Sequence, residues 1–349
     1  MGDEQYMQRA IDLAFKGLRN VSPNPMVGCV IVYEGKIIGE GWHKKFGEAH
    51  AEVNAVDSVE NKDLILDSTV YVTLEPCSFH GKTPACTDLL LKHKPRTVVI
   101  ASKDPNPKVS GNGIKILQQA GINVRFGMLE EEAMALNKRF FVAMAHNRPY
   151  IVLKWAQTND GFIARKNYDS KWISNEFSRQ LVHKWRTEEH GILVGHNTVK
   201  YDNPQLTARS WPGQNPIRIV LDPDLSLKDD FSIFSDNKPV YIINLLKDKE
   251  EANLHYLKVS KENILTEMLA LLDEKKIGSI LVEGGAQTLN SFIGEGLWDE
   301  ARIFISENNF KEGINAPLLE FDEAEEQNIM GNRLRIIYNP KTQSLWQKN

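Results

Sequence analysis

A histidine, a glutamate and two cysteines form the motif that most constrains what this chain can fold into. His50 and Glu52 lie two residues apart, and Pro76-Cys77 and Cys86 follow downstream. One imidazole and two thiolates can hold zinc and leave one tetrahedral position open for water, whose pKa the metal lowers to near neutrality. Glu52 is then free to carry a proton from this water to a leaving amine. The motif therefore predicts a zinc hydrolase that removes an amino group from a nitrogen heterocycle.

The spacing of the two cysteines leaves other interpretations open. The signature of zinc deaminases at large contains C-x-x-C, whereas Cys77 and Cys86 lie nine positions apart. The residues could instead be unrelated, with His50 a core histidine and the cysteines small buried hydrophobes. A closed structural zinc site would need a fourth ligand, for which His43 or His80 is available, and would have no use for the nearby glutamate.

Length and composition indicate a globular protein of two domains. At 349 residues, with 42% hydrophobic and 25% charged residues, the chain is too long for one ordinary core. No apolar run approaches the roughly 20 residues of a membrane helix, and the acidic N-terminus lacks the basic start of a secretory signal. Because there are only three cysteines, of which we expect Cys29 to pack in a buried strand, a reducing cytoplasm is expected. The net charge of −4 argues against a deaminase that edits RNA or DNA, which would need a basic face.

Hydrophobic periodicity predicts an α/β protein with a domain boundary in the polar stretch 145–149. Alternating helices and strands before it predict a three-layer α/β/α domain over residues 1–147. A second alternating series predicts another α/β domain over 148–349, closed by a hairpin near 333–338 and 343–347. In this series, strands are predicted at 150–156, 191–194, 217–221, 239–243, 279–282 and 300–305, and helices at 175–186, 261–274 and 286–295.

Both segments that carry the metal motif lie at predicted helix N-termini. His50 precedes a helix predicted over 51–59, and Cys86 precedes one predicted over 87–93. The amide groups and the positive dipole end of a helix N-terminus favour thiolate over thiol. A further helix is predicted over 130–143, at the end of the first domain.

Two strand-to-helix junctions of the second domain carry glycine and polar residues. They are Gly195-His196-Asn197-Thr198 and Glu283-Gly284-Gly285-Ala286. Backbone amides at such a junction can bind phosphate, although adjacent glycines are also common in ordinary turns. Arg186 and Arg209 suit a phosphorylated ligand, although each could be a surface residue. Since no G-x-G-x-x-G motif occurs, these residues alone indicate an α/β domain with an anionic ligand and no Rossmann fingerprint.

Over nearly its full length the chain resembles the bifunctional riboflavin-biosynthesis deaminase/reductase family of bacteria. The first half is similar to the family's cytidine-deaminase-like domain, in which the long cysteine spacing is normal. Its matching motifs are Ser22-Pro23-Asn24-Pro25-Met26-Val27-Gly28, His50-Ala51-Glu52 and Glu75-Pro76-Cys77-Ser78 with Gly81-Lys82-Thr83-Pro84-Ala85-Cys86. The second half is similar to the family's reductase, which has a dihydrofolate-reductase-like fold. Its matching motifs are Lys154-Trp155-Ala156, Asp160-Gly161, Ser170-Lys171-Trp172-Ile173-Ser174, Asp202-Asn203-Pro204 with Leu206-Thr207 and Arg209, and Glu283-Gly284-Gly285.

This resemblance implies two reactions in one chain. The family deaminates a diaminopyrimidinone that bears a ribosylamino 5-phosphate, and then uses NADPH to reduce the ribosyl group to ribityl. His50, Cys77 and Cys86 would hold one zinc ion per chain, while Glu52 would shuttle protons. We expect small-molecule substrates, a homo-oligomer, a cytoplasmic location, and no nucleic-acid or membrane partner.

The resemblance implies most of the remaining site residues, whereas Phe79, His80 and His43 are inferred from the short loop between the two cysteines and its departure from the family pattern. At the deaminase substrate we expect Asn24, with Lys82 at the phosphate and Phe79 as a wall of the pocket. His80 would supply a polar contact there, with His43 the next candidate. The implied reductase substrate residues are Ser170, Arg186, Leu206, Arg209 and Glu283. The implied cofactor residues are Ala156, Trp172, Thr198, Asp202, Gly285, Ala286, Gln287, Thr288, Leu289, Asn290 and Ser291.

Two positions depart from the family pattern. Phe79 stands where the family usually has a histidine directly after Cys-Ser. Its ring cannot donate a hydrogen bond, but it can stack on a flat heterocycle. Asp222-Pro223 stands where some relatives have a serine near the cofactor. This second departure leaves the preference for NADPH over NADH open.

Overall fold

The computed structural model describes residues 2–79, 84–106, 110–171, 173–319, 321 and 323–347. Contacts divide the chain into two units, Met1–His146 with Ser344–Asn349, and Asn147–Gln343. The boundary expected after residue 147 lies one residue beyond the division that the contacts place after His146. Residues 344–349, which we expected in the second domain, group with the first unit. The reason is local, because Trp346 is buried and the Lys138 ammonium lies 5.5 Å from its ring. Among the described residues, no helix is both long enough and apolar enough to cross a membrane.

The described part of the first unit forms a five-stranded sheet between two layers of helices, as predicted. Its elements are α1 (Asp3–Phe15), β1 (Gly28–Tyr33), β2 (Lys36–Trp42), α2 (Ala51–Ser58), β3 (Thr69–Leu74), α3 (Cys86–His93), β4 (Thr97–Ser102), α4 (Asn112–Gln119), β5 (Asn123–Phe126), α5 (Glu130–Leu136) and α6 (Lys138–His146). The strand order is β2-β1-β3-β4-β5, with β3, β4 and β5 parallel and β1 antiparallel to both of its neighbours.

The side chains of β1 alternate between the two faces of the sheet, which explains why this unit has two hydrophobic cores. Cys29 and Ile31 pack on one face of the sheet, whereas Val30 and Val32 pack on the other with residues of α1. Successive side chains of a strand point to opposite faces, so a strand that is apolar throughout needs a helical layer on each side. Cys29 is therefore a core residue, as expected, and burial raises the pKa of its thiol.

The helix predicted over 130–143 is two helices, because Asn137 lies between them and makes a long-range contact. Its Oδ1 accepts from the Met26 amide at 2.8 Å, and its Nδ2 donates to the Met26 carbonyl at 2.8 Å. This pairing fixes the backbone two residues after Asn24.

The second unit contains a sheet of ten strands among its described residues. Its elements are β6 (Tyr150–Gln157), β7 (Phe162–Ala164), α7 (Glu176–Glu188), β8 (Gly191–Gly195), α8 (His196–Asp202), β9 (Ile217–Leu221), β10 (Val240–Asn244), β11 (Lys249–Glu251), β12 (Leu254–Lys258), α9 (Ile264–Glu274), β13 (Ser279–Val282), α10 (Ala286–Gly294), β14 (Glu300–Ile305), β15 (Ile314–Asn315), β16 (Glu325–Ile329), β17 (Asn332–Tyr338) and α11 (Pro340–Gln343). The order is β11-β12-β10-β9-β8-β13-β6-β14-β17-β16, and the strands from β12 to β14 are parallel. The carboxyl ends of these strands therefore meet at one edge, where α8 and α10 begin.

The predicted terminal hairpin of 333–338 and 343–347 is wrong in its second strand. β17 pairs instead with β16, and residues 340–343 form α11. Pro340 has no amide hydrogen for a strand ladder but fits the first turn of a helix. The Asn339 side chain accepts from the Lys341 amide at 3.1 Å and caps that turn.

Candidate metal centre and substrate cavity

Three donor atoms converge in the first unit. His50 directly precedes α2, Cys86 is the first residue of α3, and Cys77 lies in the segment after β3. The His50 Nδ1 lies 3.2 Å from the Cys86 Sγ and 3.6 Å from the Cys77 Sγ. The ligand atoms of all three residues lie within 4.8 Å of one another.

This donor set fits a zinc ion. With zinc–nitrogen and zinc–sulfur bonds of about 2.0 and 2.3 Å, two ligands of a tetrahedral ion lie about 3.5 Å apart. The two observed nitrogen–sulfur separations bracket that value. His43, a possible fourth ligand, is turned elsewhere, since its Nδ1 contacts the Ala49 carbonyl at 3.1 Å and its Nε2 contacts Asn24. Among the residues that the structure describes, three donors converge without His43, as in an open site, while His80, the other candidate fourth ligand, lies outside those residues.

The two cysteines shift each other's pKa in opposite directions. A hydrogen bond from Cys86, together with His50, lowers the pKa of the Cys77 thiol to about 4, against the effect of burial. The same Cys77 hydrogen bond and burial raise the pKa of Cys86. Cys77 also accepts the Cys86 amide at 3.3 Å, as expected for a thiolate at a helix N-terminus. These shifts favour the thiolate at Cys77, and a bound cation would favour the thiolate form of both cysteines.

Glu52 lies in the first turn of α2, with only 3% of its surface exposed. Burial and the negative charge of Cys77 raise the pKa of its carboxyl group. A carboxyl group whose pKa is raised toward neutrality exchanges protons readily, which suits a general acid and base.

The other predicted residues of this site are placed as follows. The Asn24 amide lies 3.3 Å from the His43 Nε2. Burial lowers the pKa of His43, so its ring is neutral and accepts at Nε2 while donating from Nδ1 to the Ala49 carbonyl. This arrangement fixes the orientation of the Asn24 amide. Phe79 is half exposed, and His80 and Lys82 lie outside the described residues.

Glu75 is a site residue that our sequence reasoning missed. Its carboxylate accepts from the amides of Gly111 at 2.9 Å, Gly113 at 3.0 Å and Ile114 at 3.3 Å, at the start of α4. A Cβ on Gly113 would lie 2.2 Å from the Pro76 carbonyl oxygen, so α4 touches the backbone that leads to Cys77. Glu75 therefore anchors the ligand segment to a helix N-terminus, and the only signal for it was its place directly before Pro-Cys.

Replacing Glu75 by Ala is expected to weaken zinc binding about ten-fold or more, the usual effect of losing a group that orients a metal ligand. The cause is the loss of three hydrogen bonds that hold the segment before Cys77. Competition with a chromogenic chelator measures this affinity, and Glu75→Gln, which keeps an acceptor oxygen, should lose less. An Ala variant with the zinc affinity of the unmodified chain would show that the ligand segment needs no anchor.

The second unit has a cavity of about 1250 Å³ at the carboxyl edge of its parallel strands. This exceeds the 300–1000 Å³ usual for one small ligand, so a dinucleotide and a substrate can fit together. Gly284 and Gly195 form its floor, where a Cβ on Gly284 would lie 2.8 Å from the Gly195 nitrogen. The Thr198 hydroxyl accepts from the Gly285 amide at 2.8 Å and so ties the two junctions together. The following first-turn amides of α10 have no acceptor within the helix and suit a pyrophosphate.

A buried ion cluster lies in the wall of this cavity. The Arg186 Nε and Nη2 donate to the two Glu283 oxygens at 2.8 and 2.9 Å, and the Lys154 Nζ lies 3.8 Å from Glu283 Oε2. Burial raises the pKa of Glu283, but the charges of Arg186 and Lys154 outweigh it and lower that pKa to about 2. Arg186 also donates to the Thr207 carbonyl at 2.9 Å. Three of the five N–H donors of Arg186 are thus bound within the protein, which the sequence did not reveal. Lys154 was noted only as part of a matching motif and was not predicted as a site residue.

The low pKa of Glu283 predicts acid sensitivity of the second unit. Its ordinary pKa is 4.5 and its folded pKa is about 2, so its contribution to stability is complete above pH 4.5 and is lost as pH falls toward 2. As pH falls across this window, the free energy of unfolding should decrease more steeply in the unmodified chain than in Glu283→Gln. The difference between the two slopes should be up to about 1.4 kcal/mol per pH unit. Urea unfolding at several pH values measures both slopes. Equal slopes would contradict the assigned charge state.

Most of the residues predicted for this unit line the cavity. Those that do are Ala156, Ser170, Arg186, Thr198, Asp202, Leu206, Arg209, Glu283, Gly285, Ala286, Gln287, Thr288, Leu289 and Ser291. Asn290 is exposed and is not among the described lining residues, because it lies on the outer side of α10. Trp172 lies outside the described residues.

The Asp222 carboxylate accepts hydrogen bonds from the loop that follows it. It accepts from the Ser226 amide at 3.2 Å and the Leu227 amide at 3.0 Å. Ser226 also lines the cavity, with its hydroxyl 3.0 Å from the His196 Nε2. A hydroxyl group is therefore present at this wall, four residues after the position where some relatives have serine.

Comparisons with known proteins agree with these two sites. The family of the cytidine and deoxycytidylate deaminase zinc-binding region matches residues 1–102, and the RibD C-terminal domain family matches residues 149–306. The riboflavin biosynthesis protein RibD of Aquifex aeolicus is 42% identical over 319 residues, covering 90% of this chain and 89% of the relative. The Escherichia coli protein of the same name is 38% identical, covering 88% of each.

A solved structure is similar to this chain across both units. It is a diaminohydroxyphosphoribosylaminopyrimidine deaminase/5-amino-6-(5-phosphoribosylamino)uracil reductase from Thermotoga maritima, with a TM-score of 0.86 and 38% identity over 96% of this chain and 98% of that one. The chain belongs to the RibD family of riboflavin biosynthesis, whose members join a zinc-binding deaminase domain to an NADPH-dependent reductase domain.

Proposed function

We propose that this chain deaminates 2,5-diamino-6-(5-phosphoribosylamino)pyrimidin-4-one and then reduces the ribosyl side chain of the product to ribityl. The observation that carries the first step is the set of three donors found among the described residues, in the same unit as the buried carboxyl group of Glu52. The cavity of the second unit, with its ion cluster and two strand-to-helix junctions, supports the second step.

In the deaminase, each side chain has a distinct role. Zinc held by His50, Cys77 and Cys86, when bound, makes a water molecule nucleophilic near neutral pH. Glu52 takes a proton from that water and delivers it to the ring nitrogen, and then carries the remaining proton of the added hydroxyl to the leaving amine. Asn24, oriented by His43, contacts the pyrimidine.

The loop between the two cysteines completes the proposed deaminase pocket. The half-exposed ring of Phe79 is free to stack on the pyrimidine and to exclude water. Within the same loop, His80 supplies the polar contact and Lys82 binds the phosphate. These two assignments rest on their places in the sequence between Cys77 and Cys86.

In the reductase, the side chains bind and orient the substrate. NADPH, when bound, supplies the hydride, and the protein fixes the geometry. The ribosylamine opens to an imine as its C1–ring oxygen bond breaks and the oxygen takes the N–H proton. The imine C1 then accepts the hydride, and its nitrogen takes a proton from solvent. Arg209 and the remaining donors of Arg186 hold the phosphate, while Ser170, Leu206 and Glu283 contact the rest of the substrate and align C1.

The cofactor takes the other side of the same cavity in this proposal. Ala156, Trp172, Thr198 and Asp202 contact the nicotinamide half, and the first turns of α10 hold the pyrophosphate. Among residues 285–291, we exclude Asn290 from direct contact because it is exposed outside the cavity lining.

The two activities are proposed to reside in separate modules, 1–147 and 148–349, with residues 344–349 packed in the first unit. Cys77→Ser should then abolish deamination and spare reduction of the deaminated intermediate. We also propose small-molecule substrates, a homo-oligomer, a cytoplasmic location, and no nucleic-acid or membrane partner.

Incubating the full chain with the phosphorylated diaminopyrimidinone, with and without NADPH, tests the function directly. Mass spectrometry should show the uracil derivative without NADPH and its ribityl form with NADPH. An unchanged substrate under both conditions, in a zinc-loaded protein, would contradict the proposal. A separate measurement distinguishes an open from a closed metal site. It is the absorption spectrum of the protein in which cobalt replaces zinc.

A further inference from the structure

Two exposed tyrosines stack face to face at the cavity of the second unit. The ring centroids of Tyr168 and Tyr201 lie 4.1 Å apart, and the ring planes differ by 1°. Tyr168 is 41% exposed and Tyr201 47% exposed, yet both line the cavity. Tyr168 belongs to the loop 165–171 after β7, whereas Tyr201 is on α8. The stack therefore joins two separate segments of the cavity wall.

The backbone of the loop shows why such a contact is needed. Tyr168 has a φ of +68°, in the left-handed region that a bulky side chain rarely adopts. The turn is closed by the Tyr168 amide donating to the Arg165 carbonyl at 2.9 Å and the Arg165 amide donating to the Asp169 carbonyl at 3.0 Å. A residue persists in this conformation only when its surroundings hold it there, and the stacked Tyr201 ring adds a contact from α8 to the hydrogen bonds within the turn.

A second contact lies directly beside the stack. The Ser170 hydroxyl donates to the Asp202 Oδ1 at 3.3 Å. Ser170 is two residues after Tyr168, and Asp202 is the residue after Tyr201, so the loop is attached to α8 at two adjacent points. One point is a single hydrogen bond at the cavity, and the other is the aromatic stack.

We infer that the Tyr168–Tyr201 stack is a clamp that positions Ser170 for the substrate of the reductase. This inference rests on the proposed function, in which Ser170 contacts that substrate. A loop held in place before binding does not have to be ordered by the ligand, so the clamp increases affinity. Tyr201 is thus a positioning residue and does not itself touch the reacting atoms.

Steady-state kinetics of the full chain with the deaminated intermediate and NADPH test the clamp. Tyr201→Ala should raise the KM for the intermediate by about two- to ten-fold, the range expected for loss of one aromatic pair. The kcat should change less than two-fold, since binding energy common to ground and transition states is lost. Tyr201→Phe keeps the ring and should behave as the unmodified chain. Tyr168→Gly, which tolerates the positive φ but lacks the ring, should match Tyr201→Ala.

Limited trypsin digestion reports the order of the loop without reference to activity. Arg165, Lys166 and Lys171 are cleavage sites within or beside the clamped turn. Tyr201→Ala and Tyr168→Gly should be cut there faster than the unmodified chain, and Tyr201→Phe should not. Because both variants remove the same contact, the double variant should be cut no faster than either single one.

The possible results separate the clamp from the proposed function. Cleavage at an unchanged rate in Tyr201→Ala overturns the clamp, and faster cleavage with an unchanged KM overturns its role in positioning Ser170. A Tyr201→Phe variant as impaired as Tyr201→Ala also overturns it, because the ring would not be the cause. If the unmodified chain does not reduce the intermediate, the proposed function fails, while the digestion still decides whether the clamp exists.

Discussion

Replacing Glu52 by Gln is expected to lower the deaminase kcat by about 10²–10⁴-fold, the usual contribution of a positioned general acid and base. Zinc should remain bound, because the three donors of His50, Cys77 and Cys86 are unchanged and the amide has nearly the same shape. Reduction of the deaminated intermediate should also remain. Product formation and zinc content, measured on the same protein, check the expectation.

The control for this variant is Glu48→Gln, which makes the same chemical change at an exposed position two residues before His50. It should leave deamination unchanged. A Glu52→Gln protein that loses its zinc would show that Glu52 is a ligand and not a proton carrier. One that keeps both zinc and full activity would require another group to move the protons.

Replacing Arg186 by Ala is expected to destabilise the second unit by about 3–5 kcal/mol, because it leaves Glu283 as a buried charge without its main partner. The two direct hydrogen bonds between these side chains and the burial of both are the reason. Urea unfolding at pH 7 measures the effect. Substrate affinity should fall as well, since Arg186 lines the cavity.

A matched control is Lys166→Ala, which removes one partner of the exposed pair with Glu312 in the same unit. An exposed pair contributes little, so this variant should unfold as the unmodified chain does. The double variant Arg186→Met/Glu283→Gln removes the buried negative charge but leaves Lys154 an acceptor oxygen, so it should recover part of the stability without recovering substrate binding. A loss below about 1 kcal/mol in Arg186→Ala would place the pair in the weak class of surface ion pairs.

The sequence predicted those features that depend on neighbouring residues. The apolar run of β1, the six strands predicted between residues 150 and 305, and the helix starts beside His50 and Cys86 all follow from local periodicity, and the structure confirms them. The convergence of the three metal donors was predictable because one chemical mechanism required all of them. The long cysteine spacing carried no geometric information and needed the family resemblance.

The features that could not be predicted depend on contacts between distant segments. Asn137 divides a predicted helix because its side chain binds Met26, 111 residues away. Glu75 caps a helix that begins 37 positions later, and periodicity says nothing about such a partner. Arg186 looked like a free phosphate ligand because its pairing with Glu283 spans 97 residues. In each case a polar side chain finds a partner that only the folded backbone brings near.

The place of β13 in the large sheet has a consequence for synthesis of the chain. β13 lies between β6 and β8, both of which precede it by more than 80 residues, and pairs with each through parallel ladders. Until residues 279–282 leave the ribosome, β6 and β8 present unpaired edges to other chains, and such edges promote aggregation. The cavity floor cannot form earlier either, since Gly284 follows β13 directly. Fragments that end before β13 should therefore aggregate during translation, and dependence on chaperones should be greatest while this interval is being made.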